Sequence, residues 1–209
     1  MKNILLFILI ITLFIGCSTE ANIKIINRTN NNLYFGFDGE NYVLEGNENE
    51  DTSMEFSFDT GTKTIFSDKT KKVNLYLEGE TFLMQLSDPY GAGQGAYYTE
   101  TELELKQDET RKIYCDPTHA GLKVLNDFDQ MISKVKYTAN NLDTLYTVIT
   151  DLEVDDFDFY QLKYYSLGDT IWYSFQVEFI DGSINNYGGE GNLLEKDEVF
   201  FINSETEIN

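Results

Sequence analysis

The sequence predicts an all-β protein, two antiparallel β-sandwich units in tandem after a cleaved signal peptide. Three observations lead there. Short runs of β-branched and aromatic residues recur roughly every eight to twelve residues, the cadence of sandwiches and barrels. Clusters of Gly, Asn and Asp punctuate those runs, and helix-period stretches are scarce. Finally, 15 Phe, 14 Tyr and one Trp supply enough apolar surface for a core, against the disorder that a net charge of −21 would otherwise suggest.

The chain opens with Lys2 and an apolar run over residues 4–15. A membrane-spanning helix needs about 20 such residues, so this run is the length of a signal-peptide apolar region rather than of a span. It ends Leu13-Phe14-Ile15-Gly16-Cys17 and turns polar at once with Ser18-Thr19-Glu20. The small-then-cysteine ending resembles the lipobox of bacterial lipoproteins. The resemblance covers the first 17 residues, with Phe14 where Leu is usual and Ile15 where Ala or Ser is usual. It implies that residues 1–16 are removed, that the Cys17 thiol carries a diacylglycerol, and that the new amino group is acylated. A single acyl chain holds a protein only reversibly, at about 0.8 kcal/mol per buried CH₂; two or three chains anchor it. The expected partner is therefore a membrane, reached through lipid at Cys17, and the expected location is the cell envelope. Ser18 rather than Asp after the cysteine implies the outer membrane in a host with two membranes. The competing reading of residues 1–16 is an ordinary cleaved signal or an uncleaved N-terminal anchor.

After a tether at residues 17–22, the first unit is expected over 23–116. Ile23-Lys24-Ile25-Ile26 is a β-branched strand that ends in the polar cluster Asn27 to Asn32. Leu33-Tyr34-Phe35-Gly36-Phe37 is the next strand, closed by Asp38-Gly39. An acidic loop covers residues 45–53. Met54, Phe56 and Phe58 then alternate with Glu55 and Ser57, a half-buried strand. Val73, Leu75 and Leu77 alternate likewise, and Glu78-Gly79-Glu80 with Thr81-Phe82-Leu83-Met84 reads as a hairpin. Residues 89–95 form a Gly-rich loop. Leu103, Leu105 and Ile113 are the last apolar points before Asp116-Pro117, where a boundary is expected.

The second unit is expected over 121–203. Leu122-Lys123-Val124-Leu125-Asn126 repeats the pattern Ile23-Lys24-Ile25-Ile26-Asn27 found 99 residues earlier. Ile180-Asp181-Gly182-Ser183 matches Leu77-Glu78-Gly79-Glu80, and Leu194-Glu195-Lys196-Asp197-Glu198 matches Leu105-Lys106-Gln107-Asp108-Glu109. Three matches in one order suggest a duplicated unit, against chance strand punctuation. The strongest strand puts Ile171, Tyr173, Phe175, Val177 and Phe179 on one face and Trp172, Ser174, Gln176 and Glu178 on the other. Asp181-Gly182 is expected to form a type I′ turn. Residues 140–152 carry helical spacing in Leu142, Leu145, Tyr146 and Ile149, opposed by the β-branched Thr144, Thr147, Val148 and Thr150. Units of about ninety residues suit immunoglobulin-like sandwiches, although the Cys…Trp…Cys hallmark of true immunoglobulin domains is absent. Leu105-Lys106-Gln107-Asp108-Glu109-Thr110 resembles the turn before a late strand in secreted sandwich modules of that kind, over those six residues.

Charge and cysteine usage narrow the function classes. With 36 acidic residues against 15 basic ones, the chain lacks the cations a nucleic-acid partner requires. Its charge also opposes adsorption to anionic lipid and favours solubility. If Cys17 carries lipid, Cys115 is left alone, and no internal disulfide is expected. Cys115 reads as a small buried hydrophobe rather than a reactive thiol.

No catalytic residue, cofactor or metal ligand is expected. His119 is the one histidine, beside Pro117, and there is no G-x-S-x-G nucleophile elbow. One His and one free Cys do not make a zinc site. Asp151, Glu153, Asp155, Asp156 and Asp158 invite calcium, but Asp156 and Leu162 occupy the positions where an EF-hand loop from Asp151 needs Gly and Glu. A looser calcium site or a solvated acidic loop remain the alternatives. Carboxylates are too numerous to single out a glycosidase pair. The ligand-binding candidates are aromatic: Tyr97, Tyr98, Tyr164 and Trp172, with one member of each Tyr-Tyr pair (97–98 and 164–165) expected outward. The expected function is a non-catalytic binding or structural module at the envelope with a protein or glycan partner; the alternative is a carbohydrate-binding module using those aromatics.

Overall fold

The computed structural model describes residues 19–61, 69–85, 96–140, 142, 144–164 and 171–208. The leader with Cys17, the loop at 89–95 and Tyr165 lie outside the described residues. The chain is all-β, and no helix occurs among the described residues.

Two sandwiches follow one another. In the first, β1 (Glu20–Asn27), β4 (Thr52–Asp59) and β9 (Thr110–Cys115) face β2 (Leu33–Phe37), β3 (Glu40–Leu44), β5 (Thr70–Gly79) and β8 (Glu100–Lys106). A small ribbon of β6 (Met84–Gln85) and β7 (Tyr97–Tyr98) accompanies it. In the second, β10 (Ala120–Leu125), β13 (Phe157–Leu162) and β16 (Val199–Ile202) face β11 (Ile132–Ala139), β12 (Tyr146–Leu152), β14 (Trp172–Phe179) and β15 (Ile184–Leu193).

The two units share one topology. Strand order β4-β1-β9 over β3-β2-β5-β8 recurs as β13-β10-β16 over β12-β11-β14-β15. The layering is that of immunoglobulin-like sandwiches, with a strand order of its own. Pairing is antiparallel throughout except that the first strand of each unit runs parallel to the last, β1 with β9 and β10 with β16. Parallel neighbours need a long crossover, and here the whole intervening unit provides it. Each unit is thereby closed on itself by its two chain ends.

Alternation drives burial as the pattern predicts. In β14, Tyr173, Phe175, Val177 and Phe179 are buried while Trp172, Ser174, Gln176 and Glu178 are partly exposed. They join Leu122, Val124, Ile132, Val135 and Ile149 in the second core. The first core gathers Ile23, Ile25, Leu33, Phe35, Val73, Leu75, Leu77 and Leu105 around Cys115, which is fully buried.

Two local expectations are corrected. Residues 146–152 are strand β12, paired with β11, and Leu142, Leu145 and Tyr146 are exposed; β-branched Thr147, Val148 and Thr150 prefer the pleat, and the helical spacing was fortuitous. The turn at Asp181-Gly182 is not type I′, because only Gly182 has positive φ, at 85°. Asp181 instead accepts from the Ser183 amide and hydroxyl at 2.8 and 2.6 Å. The two-residue left-handed turn occurs at Asp38-Gly39, φ 50° and 91°, between β2 and β3. The turn expected after Gly79 does form: Gly79 and Phe82 exchange amide–carbonyl hydrogen bonds at 2.8 and 3.3 Å and Glu78 bridges Leu83 antiparallel, a hairpin one bridge long. The rest of β5 pairs with β2 and β8. Glu80 and Thr81, the two residues of the turn, bond to the second sandwich through Lys123 and Asp197.

Candidate functional site

A dense polar arrangement among the described residues lies where the two sandwiches meet. Its centre is Glu80, whose side chain is 4% exposed. One carboxylate oxygen accepts from the Tyr34 hydroxyl at 2.8 Å and from Lys123 Nζ at 2.7 Å. Tyr34 projects from the outer face of β2, and Lys123 from the outer face of β10, so the three groups tie the sheets of both units together. The Tyr34 ring stacks on Phe159 of β13 at 4.9 Å and 17°. Lys123 also lies 5.3 Å from the Phe157 ring. Burial, followed by the Glu80 charge, raises the Tyr34 pKa above its ordinary value, which keeps the hydroxyl a donor. A buried ion pair is no stability gain in itself, but leaving one member alone is costly, so the set holds as a unit.

A second knot forms around Asp197. It stands in the turn between β15 and β16 with φ 76°, a left-handed conformation that Asp tolerates. Its carboxylate accepts from the Asn30 amide at 2.8 Å, Asn31 Nδ2 at 3.1 Å and the Thr81 hydroxyl at 2.6 Å, all from the first sandwich. The Thr81 carbonyl receives the Thr118 and His119 amides at 3.0 and 2.9 Å, and the His119 carbonyl receives the Asp197 amide at 3.0 Å. Gln161 Nε2 donates to the Gly79 carbonyl at 2.8 Å. A Cβ at Gly121 would lie 2.7 Å from the Glu80 carbonyl, so only glycine permits this approach. The passage between the units is therefore clamped on both sides rather than loose.

The aromatic candidates gather around this junction. Tyr97 and Tyr98 are both exposed, 40% and 43%, where one outward ring had been expected; they form a two-residue strand paired with Met84 and Gln85. Tyr97 packs edge-on against the His119 ring at 4.6 Å. Tyr164, 38% exposed, lies under Lys196 Nζ at 5.9 Å, next to Asp197 in the junction turn. Trp172 pairs in register with Leu193, shortly before that turn, and its amide is held by Asn140 Oδ1 at 2.9 Å. Contacts thus run from Tyr97 through His119, Asp197 and Lys196 to Tyr164, with Trp172 on the adjoining strand. A hollow of about 350 Å³ opens beside Leu83, Tyr97, Tyr98, Thr99 and Glu100.

The remaining candidates are structural in their surroundings. Burial pushes the Cys115 thiol up to about 12 and the His119 imidazole below its ordinary 6.5. The acidic stretch 151–158 runs from the end of β12 through the exposed turn at residues 153–156 into β13, with Asp155 donating its amide to the Asn126 carbonyl at 2.7 Å. Among the described residues no three or more His, Cys, Asp or Glu side chains are grouped to hold a metal ion. Glu80 and Asp197 escaped sequence reasoning because both sit in acidic turns that look solvated. The buried Thr81 beside Glu80 carried no distinguishing signal.

No family model matches the chain, and no curated protein matches it. Among solved structures it is similar to the Bacillus anthracis TIE protein, at 6% identity and TM-score 0.27 over 90% of this chain and 33% of that one, so the chain spans about a third of that protein's length. It is also similar to the major pilin of Streptococcus pyogenes, at 11% identity and TM-score 0.19, covering 90% of this chain and 97% of the pilin. A third similarity is to the Pseudomonas aeruginosa CupB2 chaperone, at 8% identity and TM-score 0.21, covering 85% and 93%. Superpositions this loose carry no functional argument.

Proposed function

We propose that the chain is a lipid-anchored cell-envelope protein with a non-catalytic binding or structural role, its two sandwiches held as one stiff arm above the membrane. The observation that carries this reading is the apolar leader ending in Gly16-Cys17. Acyl chains at Cys17 would anchor the protein, and a body with 36 acidic residues would be held off an anionic lipid surface. The clamped junction supports the structural half of the reading, since a stiff arm keeps a binding surface at fixed height. Metabolic labelling with a clickable fatty acid tests it. Label is expected in the native protein and lost in Cys17→Ala; label retained by that variant, or none in the native protein, overturns the anchor.

A second reading, binding of carbohydrate through exposed aromatics, is favoured by the hollow beside Tyr97 and Tyr98. Sugar rings present an apolar face that stacks on tyrosine while their hydroxyls seek amides and carboxylates.

A further inference from the structure

The outer face of the four-stranded sheet in the first sandwich is not flat. β2, β3, β5 and β8 enclose a hollow of about 650 Å³, within the usual range of ligand sites. A glycine inside a strand weakens that strand and often marks close approach by another group. Gly36, buried at the floor of the hollow, lies opposite Asn41 on β3 and Tyr76 on β5. A Cβ at residue 36 would meet Asn41 Oδ1 at 2.7 Å and the Glu40 carbonyl at 2.8 Å, so glycine allows the Asn41 amide to fold in over the strand.

The walls are of a consistent kind. Tyr76 contributes a partly exposed ring, its hydroxyl hydrogen-bonded to Glu78. Burial first, then Glu78, Glu100 and Asp158, hold that hydroxyl protonated above its ordinary value. Asn41 and Asn74 offer planar amides, and Glu100 and Glu102 planar carboxylates. Glu102 is fixed by Lys72 at 2.6 Å. Glu100 also lines the smaller hollow beside Tyr97 and Tyr98, so the two depressions are neighbours with a shared wall.

We propose that the larger hollow, a trough walled by Tyr76, Asn74, Glu100 and Glu102, binds an oligosaccharide free of carboxylate, sulfate and phosphate groups, with Tyr97 and Tyr98 beyond its Glu100 wall. An aromatic ring beside amides and carboxylates matches the two chemistries of a sugar, its C–H face and its hydroxyl rim. The carboxylates of Glu100 and Glu102 repel anionic sugars. This rests on the carbohydrate reading above and replaces its site: Tyr76, Asn74 and Glu100 carry recognition, while Tyr164 and Trp172 do not.

The test is calorimetric titration of the full chain in detergent micelles with cellotetraose, chitotetraose, tetragalacturonate and tetralysine. Saturable binding of cellotetraose or chitotetraose is expected, with none for tetragalacturonate. Tyr76→Ala and Asn74→Ala should each weaken binding about tenfold, the effect of one lost stacking or hydrogen-bonding contact. Tyr76→Phe should keep it, since the ring remains; Asn74 is exposed, so its variant reports on binding rather than folding. If a neutral sugar binds but only Tyr164→Ala or Trp172→Ala weakens it, the trough is wrong and the carbohydrate reading stands. If neither neutral sugar binds, or tetralysine alone does, both fall.

Discussion

At the scale of single residues, identical turns do different work in the two units. Asp108 and Asp197 occupy matching positions, both with positive φ, 63° and 76°. In each turn the glutamate that follows caps back: Glu109 accepts from the Lys106 amide at 3.0 Å and Glu198 from the Glu195 amide at 2.6 Å. Asp108 is exposed, whereas Asp197 gathers three donors from the other sandwich. Glycine tolerates the left-handed backbone, so Asp108→Gly should change stability by no more than about 0.5 kcal/mol. Asp197→Gly should cost about 2 kcal/mol, the value of bonds to a charged acceptor. Urea denaturation of both variants compares them; equal effects would mean the junction contributes nothing. Cys115 gives another residue-scale expectation. Its buried thiol, pushed up to about 12, should resist Ellman's reagent at about pH 8 until the protein is unfolded. Rapid modification of Cys115 in the folded protein, identified against Cys115→Ala, would contradict its place in the core.

At the scale of elements, a buried asparagine ends the first strand of each unit. Asn27 Nδ2 donates to the carbonyls of Asn31 at 2.8 Å and Leu44 at 3.3 Å, and Asn126 Nδ2 to those of Gln130 at 3.2 Å and Leu152 at 2.8 Å. Each thereby pins the exit of β1 or β10 to the end of β3 or β12. The oxygens differ. Asn27 Oδ1 accepts from the amide and hydroxyl of Thr29, both at 2.9 Å, while Asn126 Oδ1 has no partner among the described residues and Phe128 stands where Thr29 does. Asn27→Ala should therefore cost about 3 kcal/mol and Asn126→Ala about 2 kcal/mol, since removing an unpaired oxygen recovers part of its burial cost. Thermal or urea unfolding decides; a larger loss at Asn126 would refute the equivalence. These matches were legible in the sequence, because a strand with its terminal asparagine and a turn with its capping glutamate are local patterns. What the turn after Gly79 bonds to was not, because the partners of Glu80 and Thr81, Lys123 and Asp197, lie far along the chain.

At the scale of the whole molecule, pH should act through His119, the one histidine in the chain. Burial lowers its pKa below 6.5 in the folded state, so the unfolded chain takes up a proton first. The His119 contribution is constant well above 6.5, and stability falls as pH drops through 6.5 toward the depressed folded value. Glu109, Glu178 and Asp181 have lowered pKa values and lose their stabilising charge only below the ordinary carboxylate range, outside this window. The melting temperature should drop between pH 7.5 and pH 5.5, and drop less in His119→Gln. An equal drop in the variant would assign the effect elsewhere. Because His119 bridges Thr81 and Asp197 through its backbone and Tyr97 through its ring, its protonation acts on the junction and the aromatic hollow together.

Strand periodicity, turn residues and the repeated phrases determined by themselves that this protein is all-β and built in two similar units, because those signals are set by neighbours along the chain. How the units meet was decided only in three dimensions. Glu80 and Asp197 lie in sequences indistinguishable from solvated turns, and the amides, hydroxyls and Lys123 that take them out of water come from segments distant in sequence. The hollow at Gly36 is the same case: a lone glycine in a strand reads as a weakness until the sheet sets Asn41, Tyr76 and Glu100 around it.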